Sequence, residues 1–273
     1  MKTQELIETS KQLRIKIIEM LYRIGMEYKG HPGPALSMAD IVTCLYFDVL
    51  NIDPANPKWK ERDRFVLSKG HACPALYAAL YLRGFFEEKH LYTLRHIDSM
   101  LQGHPDMRKT PGIDMTAGSL GHGLGAGLGI ALAGRLDKMK YKVYVMLGDG
   151  ELQEGLIWES AMSAGHFKMD NLVAIIDRNK WQSCDLVECT IDVEPLKEKF
   201  KSFNWDIMEI DGHDITAIVE ALKKPLNKKP LAIIANTIKG KGVSFMEGNN
   251  SWHQRGITEQ EYRIAIKDLK GSE

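Results

Sequence analysis

An α/β fold, with a doubly wound, mostly parallel sheet and helices on both faces, is predicted by three observations. First, five apolar runs read as strands: RDRFVLS, YKVYVML, NLVAIID, WDIMEI and PLAIIAN. Second, most are separated by helical patterns, and strands that alternate with helices build a parallel sheet covered on both sides. Third, 44% of the 273 residues are hydrophobic, enough for one substantial core. With no repeat, low-complexity tract or evident linker, residues 1–273 are expected to form a single domain.

The elements follow in order. MKTQELIETSKQLRIKIIEM is an amphipathic helix with Leu6, Leu13, Ile17 and Leu21 on one side. GHPGPALS, Gly30 to Ser37, breaks the helical pattern of the first sixty residues. Ser37 can then cap a helix over Ala39 to Val49. DPANPKW is a turn-rich connector to the first short strand, RDRFVLS. Pro74 suits the first turn of a helix through Leu82, and Glu87 to Asp114 reads as loop. Glycines crowd Gly118 to Gly129, and an alanine-rich helix follows to about Lys138. Further helices are expected at Leu152–Phe167, Val193–Phe203 and Ile215–Leu222, the last capped by Asp214.

The bulk numbers exclude several functions. Lys plus Arg equals Asp plus Glu at 36 each, so charge gives no reason to expect a nucleic acid or an acidic membrane surface as partner. Mean hydropathy is −0.25, no apolar run reaches about 18 residues, and the N-terminus has no signal-peptide core. The four cysteines form no C-x-x-C, which suits free thiols in a reducing cytoplasm.

In an open parallel sheet, ligands bind beyond the carboxyl ends of the strands. Asp149 lies just past one strand, between Gly148 and Gly150, and Asn179 lies just past the next. One helix joins the two strands, so both residues emerge at the same edge. The glycines let the backbone come close to a ligand, and the helix from about Leu152 turns its free N–H groups toward an anion. A carboxylate, an amide oxygen and a nearby carbonyl suit a hard cation such as Mg2+, which takes its remaining ligands from phosphate and water. Gly-Asp-Gly alone is a common turn, as is an asparagine after a strand. Both at the ends of one strand–helix–strand unit favour a metal that holds a diphosphate.

These residues carry a resemblance. The GDG and the asparagine thirty residues after its acid resemble the thiamin-diphosphate signature. YKGHPGPALSMADI, DRFVLSKGHACPALYAAL, GHPD, TPGIDMTAGSLGHGLGAGLGIAL and NTIKGKGVSFMEGNNSWH resemble, in order, the diphosphate-binding domain of transketolases. The resemblance covers nearly the whole chain but only about the first half of an ordinary transketolase. It therefore implies the N-terminal subunit of a split enzyme. The implied cofactors are thiamin diphosphate and Mg2+, with Ca2+ or Mn2+ as substitutes.

The same resemblance implies roles for particular residues. Asp149, Asn179 and the Trp181 carbonyl hold the metal. Gly150, His71 and His253 face the diphosphate. Gly118, Ser119 and Leu120 line the thiazolium end, with His122 where the family usually has glutamine and Ser119 where it has proline. His31, His104 and His253 point into the substrate channel as the catalytic histidines. Glu154 and Glu159 belong to an acidic network between two active sites. The implied reaction moves a two-carbon ketol unit from a ketose phosphate to an aldose phosphate, in the cytoplasm and in the pentose phosphate pathway. The implied partner is a C-terminal subunit with the pyrimidine domain, in a dimer of heterodimers, so this chain alone is expected not to turn over.

Other readings rank lower. The GHPG and KGHA segments favour sugar phosphates over a pyruvate-condensing synthase or the α chain of a 2-oxoacid dehydrogenase. Copurification of a partner separates the enzyme from a cofactor-binding module without chemistry. Gly121, Gly123 and Ala126 match a dinucleotide pattern, but GIDMTAGSL is a poor strand and Asp137 sits within a basic helix end, not after an apolar run. Close helix packing explains those glycines better. There is no GK[ST] of a P-loop, KKPLNKKP reads as a solvated connector, and His90, His96, His166 and His213 are read as structural.

Overall fold

The computed structural model describes residues 1–271. Five strands, β1 (Arg64–Leu67), β2 (Val143–Gly148), β3 (Leu172–Arg178), β4 (Asp206–Asp211) and β5 (Leu231–Asn236), form one sheet in the order β1-β2-β3-β5-β4. Every neighbouring pair is parallel. The helices are α1 (Thr3–Arg23), α2 (Pro32–Ser37), α3 (Ala39–Cys44), α4 (Cys73–Leu82), α5 (His122–Leu136), α6 (Gly155–His166), α7 (Val187–Thr190), α8 (Leu196–Ser202), α9 (Ile215–Lys223) and α10 (Glu259–Lys270).

The side-chain alternation of each strand fills two cores. Tyr144, Met146, Val173, Ile175 and Ile233 point to the side covered by α1, α3, α4 and α9. Val143, Val145, Leu147, Leu172, Ala174 and Ile176 point to the side covered by α5, α6 and α8. Each fully buried Ile or Leu contributes about 1.5–3 kcal/mol, so neither layer of helices is dispensable. This is the doubly wound sheet that the sequence predicts. Among the described residues, no helix is long and apolar enough to cross a membrane.

Register sets where the loops emerge. Leu67 pairs with Met146, Gly148 with Asp177, and Arg178 with Asn236. The segments after β1, β2, β3 and β5 therefore leave the sheet at one edge, bringing Lys69, Asp149, Asn179 and Lys239 into one neighbourhood.

Several boundaries differ from expectation. GHPGPALS is not a break throughout: Pro32 opens α2, where its missing N–H costs nothing. Ser37 ends α2 and caps nothing; its hydroxyl donates to Asp177 at 2.5 Å and lies 3.0 Å from the Pro34 carbonyl. Helix α3 stops at Cys44 and continues as a π-turn to Val49. Helix α6 starts at Gly155, after a 3-10 turn over Gly150–Gln153. Helix α8 starts after Pro195 rather than at Val193. Asp214 caps α9, accepting from the backbone N–H groups of Thr216 and Ala217 at 2.8 and 3.2 Å.

Helix α5 begins inside the glycine-rich stretch, not after it. A Cβ on Gly123 would lie 2.2 Å from the Ser68 Cβ, and one on Gly127 would lie 2.4 Å from a Val145 methyl. The glycines let α5 press against β1 and β2, the close-packing role expected of them. No strand precedes them, so the dinucleotide pattern lacks its context.

Candidate functional site

A cavity of about 360 Å³ opens at the carboxyl edge of the sheet. Its floor holds the predicted metal pair. Asp149 is 3% exposed, and its two carboxylate oxygens accept from the backbone N–H groups of Gly150 (2.8 Å) and Lys180 (2.5 Å). The Gly150 N–H is thus committed to Asp149. Burial and the charge of Asp177 push the Asp149 carboxyl up to about 7. Asn179 donates its amide N–H to Asp177 at 3.1 Å, and its amide oxygen accepts from the Trp181 N–H at 3.0 Å, closing a tight turn. That oxygen keeps a second lone pair.

These residues fit a hard cation. Asp149 is a buried carboxylate whose charge is disfavoured until a cation arrives. It lies in the cavity lining with Asn179 and Trp181, whose amide and carbonyl oxygens would complete an all-oxygen set with a single charge. Among the described residues, no three His, Cys, Asp or Glu side chains form a metal cage, so a softer site of the zinc type has no support.

Three histidines converge opposite. The rings of His31 and His71 lie 5.1 Å apart, those of His31 and His253 5.5 Å, and those of His71 and His253 5.3 Å. His104 joins them in the lining. Burial, then neighbouring positive charge, holds each below the ordinary histidine range: His31 at about 3, His253 at about 4, and His71 well below it. His104 is lowered by burial and Arg95. Neutral rings both donate and accept, and an entering polyanion would raise their basicity.

Two buried lysines were not singled out from the sequence. Lys69, 2% exposed, donates to Asp177 and, at 3.1 Å, to the Pro34 carbonyl. Lys239, 1% exposed, donates to the Gln182 carbonyl (3.1 Å), the Asn250 side chain (2.6 Å) and His253 Nδ1 (2.9 Å). An ammonium can only donate, so His253 Nδ1 must accept and its Nε2 carries the proton. Burial and Lys69 lower Lys239 to about 8. Glu151, also unforeseen, is buried and accepts from the Gly121 and Gly148 N–H groups at 2.8 and 3.1 Å, tying the start of α5 to the end of β2. The signal for the lysines was burial, which one sequence does not display.

The cavity brings together His31, His71, His104, Gly118, Leu120, Asp149, Gly150, Glu154, Asn179, Trp181 and His253. Ser119 and His122 are not in its lining. Gly121 adopts φ +85° just before α5, and the exposed His122 ring turns back onto the Leu120 carbonyl at 3.3 Å. Glu159 sits on the exposed side of α6.

Known proteins are similar to this chain in sequence and fold. The family model described as "Transketolase, thiamine diphosphate binding domain" matches residues 4–271. The chain is 46% identical over 252 residues to the 6-deoxy-6-sulfo-D-fructose transketolase subunit SqwG of Clostridium sp. (strain MSTE9), covering 92% of each. It is 41% identical over 271 residues to one of the subunits of an apulose-4-phosphate transketolase from Phocaeicola vulgatus, covering 98% of this chain and 95% of that one. Among solved structures, a transketolase mutant from Pichia stipitis superposes with a TM-score of 0.86 at 32% identity, covering 98% of this chain and 40% of that one. The transketolase of Campylobacter jejuni gives 0.87 at 30% identity, covering 99% and 43%. The chain thus spans nearly all of the two subunits and about two fifths of the solved enzymes.

Proposed function

This chain belongs to the transketolase family through its thiamine diphosphate-binding domain, and from that premise we propose that it is the cofactor-gripping subunit of an enzyme that moves a two-carbon ketol unit from a ketose phosphate to an aldose phosphate. The observation that carries this reading is the convergence of Asp149, Asn179 and four histidines on one cavity. Thiamin diphosphate, when bound, supplies the carbanion-stabilising centre for cleaving and forming the carbon–carbon bond.

The chain's own residues do the rest. Asp149, the Asn179 amide oxygen and the Trp181 carbonyl hold Mg2+, for which Ca2+ or Mn2+ can substitute. Lys69, Lys239, His71 and the Nε2–H of His253 oppose the diphosphate charge, and Gly150 allows its close approach. Gly118 and Leu120, both in the lining, flank the cofactor ring, while Ser119 and His122 stand outside it. His31, His104 and His253 bind sugar hydroxyls and carry protons. Glu154, and Glu159 beyond it, face a second active site across a dimer.

The partner in this reading is a C-terminal transketolase subunit with the pyrimidine domain, joined in a dimer of heterodimers. The length match to proteins named as subunits supports it. The pentose phosphate pathway is one setting, but the relatives' names include a sulfonated fructose and apulose 4-phosphate, so the donor sugar is open to a wider set. All four cysteines are free, which suits a reducing cytoplasm.

The test is an assay of the purified chain with thiamin diphosphate, Mg2+ and ketose and aldose phosphates, with and without the partner. The expected result is turnover only in the mixture. Robust turnover by the chain alone removes the composite site, and binding of NADH in place of thiamin diphosphate removes the whole reading.

A further inference from the structure

Asp177 is the most enclosed acid at this edge of the sheet, at 0% exposure, and it lies behind the cavity lining rather than in it. It is the penultimate residue of β3, two residues before Asn179. Four donors from four segments converge on its carboxylate: the Ser37 hydroxyl at 2.5 Å, the Asn179 amide at 3.1 Å, the Lys69 ammonium and the Thr237 hydroxyl. A buried charge with this many partners is expensive to assemble and strongly destabilising to break.

We propose that Asp177 is the positioning residue for the cation: it fixes which end of the Asn179 amide faces the cavity, and so presents an oxygen rather than an N–H to the metal. The inference rests on the cation reading of Asp149 and Asn179. An ionised carboxylate only accepts, so the Asn179 nitrogen must turn toward Asp177. The Trp181 N–H only donates, so the Asn179 oxygen must turn toward Trp181. A flipped amide sets oxygen against carboxylate on one side and two N–H groups against each other on the other. Both neighbours enforce one orientation, and its free lone pair belongs to a metal-competent oxygen. Lys69 has a second part in the device. Its ammonium pairs with Asp177, which keeps that carboxylate from drawing the cation away from Asp149. Two like charges would otherwise compete for the same cation.

The experiment measures Mn2+ uptake by the assembled enzyme at saturating thiamin diphosphate, using the paramagnetic resonance signal of free Mn2+. Asp177→Asn can present either an N–H or an oxygen to Asn179, so it withdraws one of the two constraints and leaves the orientation to the Trp181 N–H alone. The expected loss of Mn2+ affinity is about 10–100-fold, the usual effect of removing an outer partner of a metal ligand. Asn179→Ala lowers the affinity by itself. In that background Asp177→Asn should add less than about threefold, because there is no amide left to orient, whereas independent effects multiply. A merely structural role for Asp177 predicts that product. If Asp177→Asn does not fold, Lys69→Met/Asp177→Asn removes both buried charges together, a change that sheets tolerate better. It must still bind Mn2+ at least tenfold more weakly than Lys69→Met alone. Unchanged affinity, or a full product in the double variant, overturns the positioning role and leaves the metal pair standing. No Mn2+ uptake by the unmodified enzyme overturns the cation reading and this inference with it.

Discussion

Asp149→Asn should stabilise the metal-free protein while destroying cation binding. Burial and the Asp177 charge raise the Asp149 carboxyl from an ordinary 3.8 to about 7. At about 1.4 kcal/mol per pH unit, keeping this group charged above pH 7 costs the folded state about 4 kcal/mol. The asparagine removes that cost. It also loses one of the two backbone hydrogen bonds, because an amide offers a single acceptor where the carboxylate had two. That loss returns about 1–2 kcal/mol. The net gain is about 2–3 kcal/mol at pH 8. The folded protein binds the Asp149 proton more tightly than the unfolded chain does, so this contribution to stability falls as pH rises from 3.8 to about 7. The advantage of the asparagine should therefore hold from pH 8 to about pH 7 and shrink from there to pH 5. Urea unfolding in EDTA at both pH values measures it, and saturating Mg2+ with thiamin diphosphate should reverse the order of stabilities. A variant less stable than the wild type at pH 8 without metal would refute the claim that Asp149 is an uncompensated buried charge.

The same carboxyl makes Mg2+ affinity pH-dependent. Calorimetry should find it flat above about pH 7 and falling about tenfold per unit below, as the cation displaces a proton; a flat profile to pH 5 contradicts the assignment. Lys239→Met should weaken thiamin diphosphate binding at least tenfold, since a charged hydrogen bond contributes about 1.5–3 kcal/mol and His253 also loses the donor that fixes its tautomer. An unchanged dissociation constant would remove Lys239 from the site. Gly165→Ala should cost about 1–3 kcal/mol in chemical unfolding, because its Cβ would lie 1.7 Å from the Phe203 carbonyl oxygen; wild-type stability there would show that the loop after α8 yields freely.

The sequence by itself determined the layers and the placing of Asp149 and Asn179 at one edge of the sheet. Strand-length apolar runs can be buried only between two sheets of helices, so NLVAIID and PLAIIAN fix a covered parallel sheet without coordinates. Asp149 and Asn179 were legible because a strand–helix–strand unit forces both onto one edge. The histidines carried a local signature of glycine and proline but no sign that they meet. Only the tertiary structure decided that His31, His71 and His253 stand within 5.1 to 5.5 Å of one another, because they come from segments far apart in the chain. Nothing local marks Lys69 or Lys239 as buried, since a lysine among glycines reads as solvated. Asp177 was hidden for the opposite reason. At the end of an apolar strand it looks like a surface turn, and four donors from distant segments turn it into the most enclosed charge at the site. The helix start at His122 escaped prediction because glycine propensity opposes a helix, while close approach of α5 to the sheet requires those glycines. Local propensity is a property of neighbours in sequence; burial, convergence and charge compensation belong to neighbours in space.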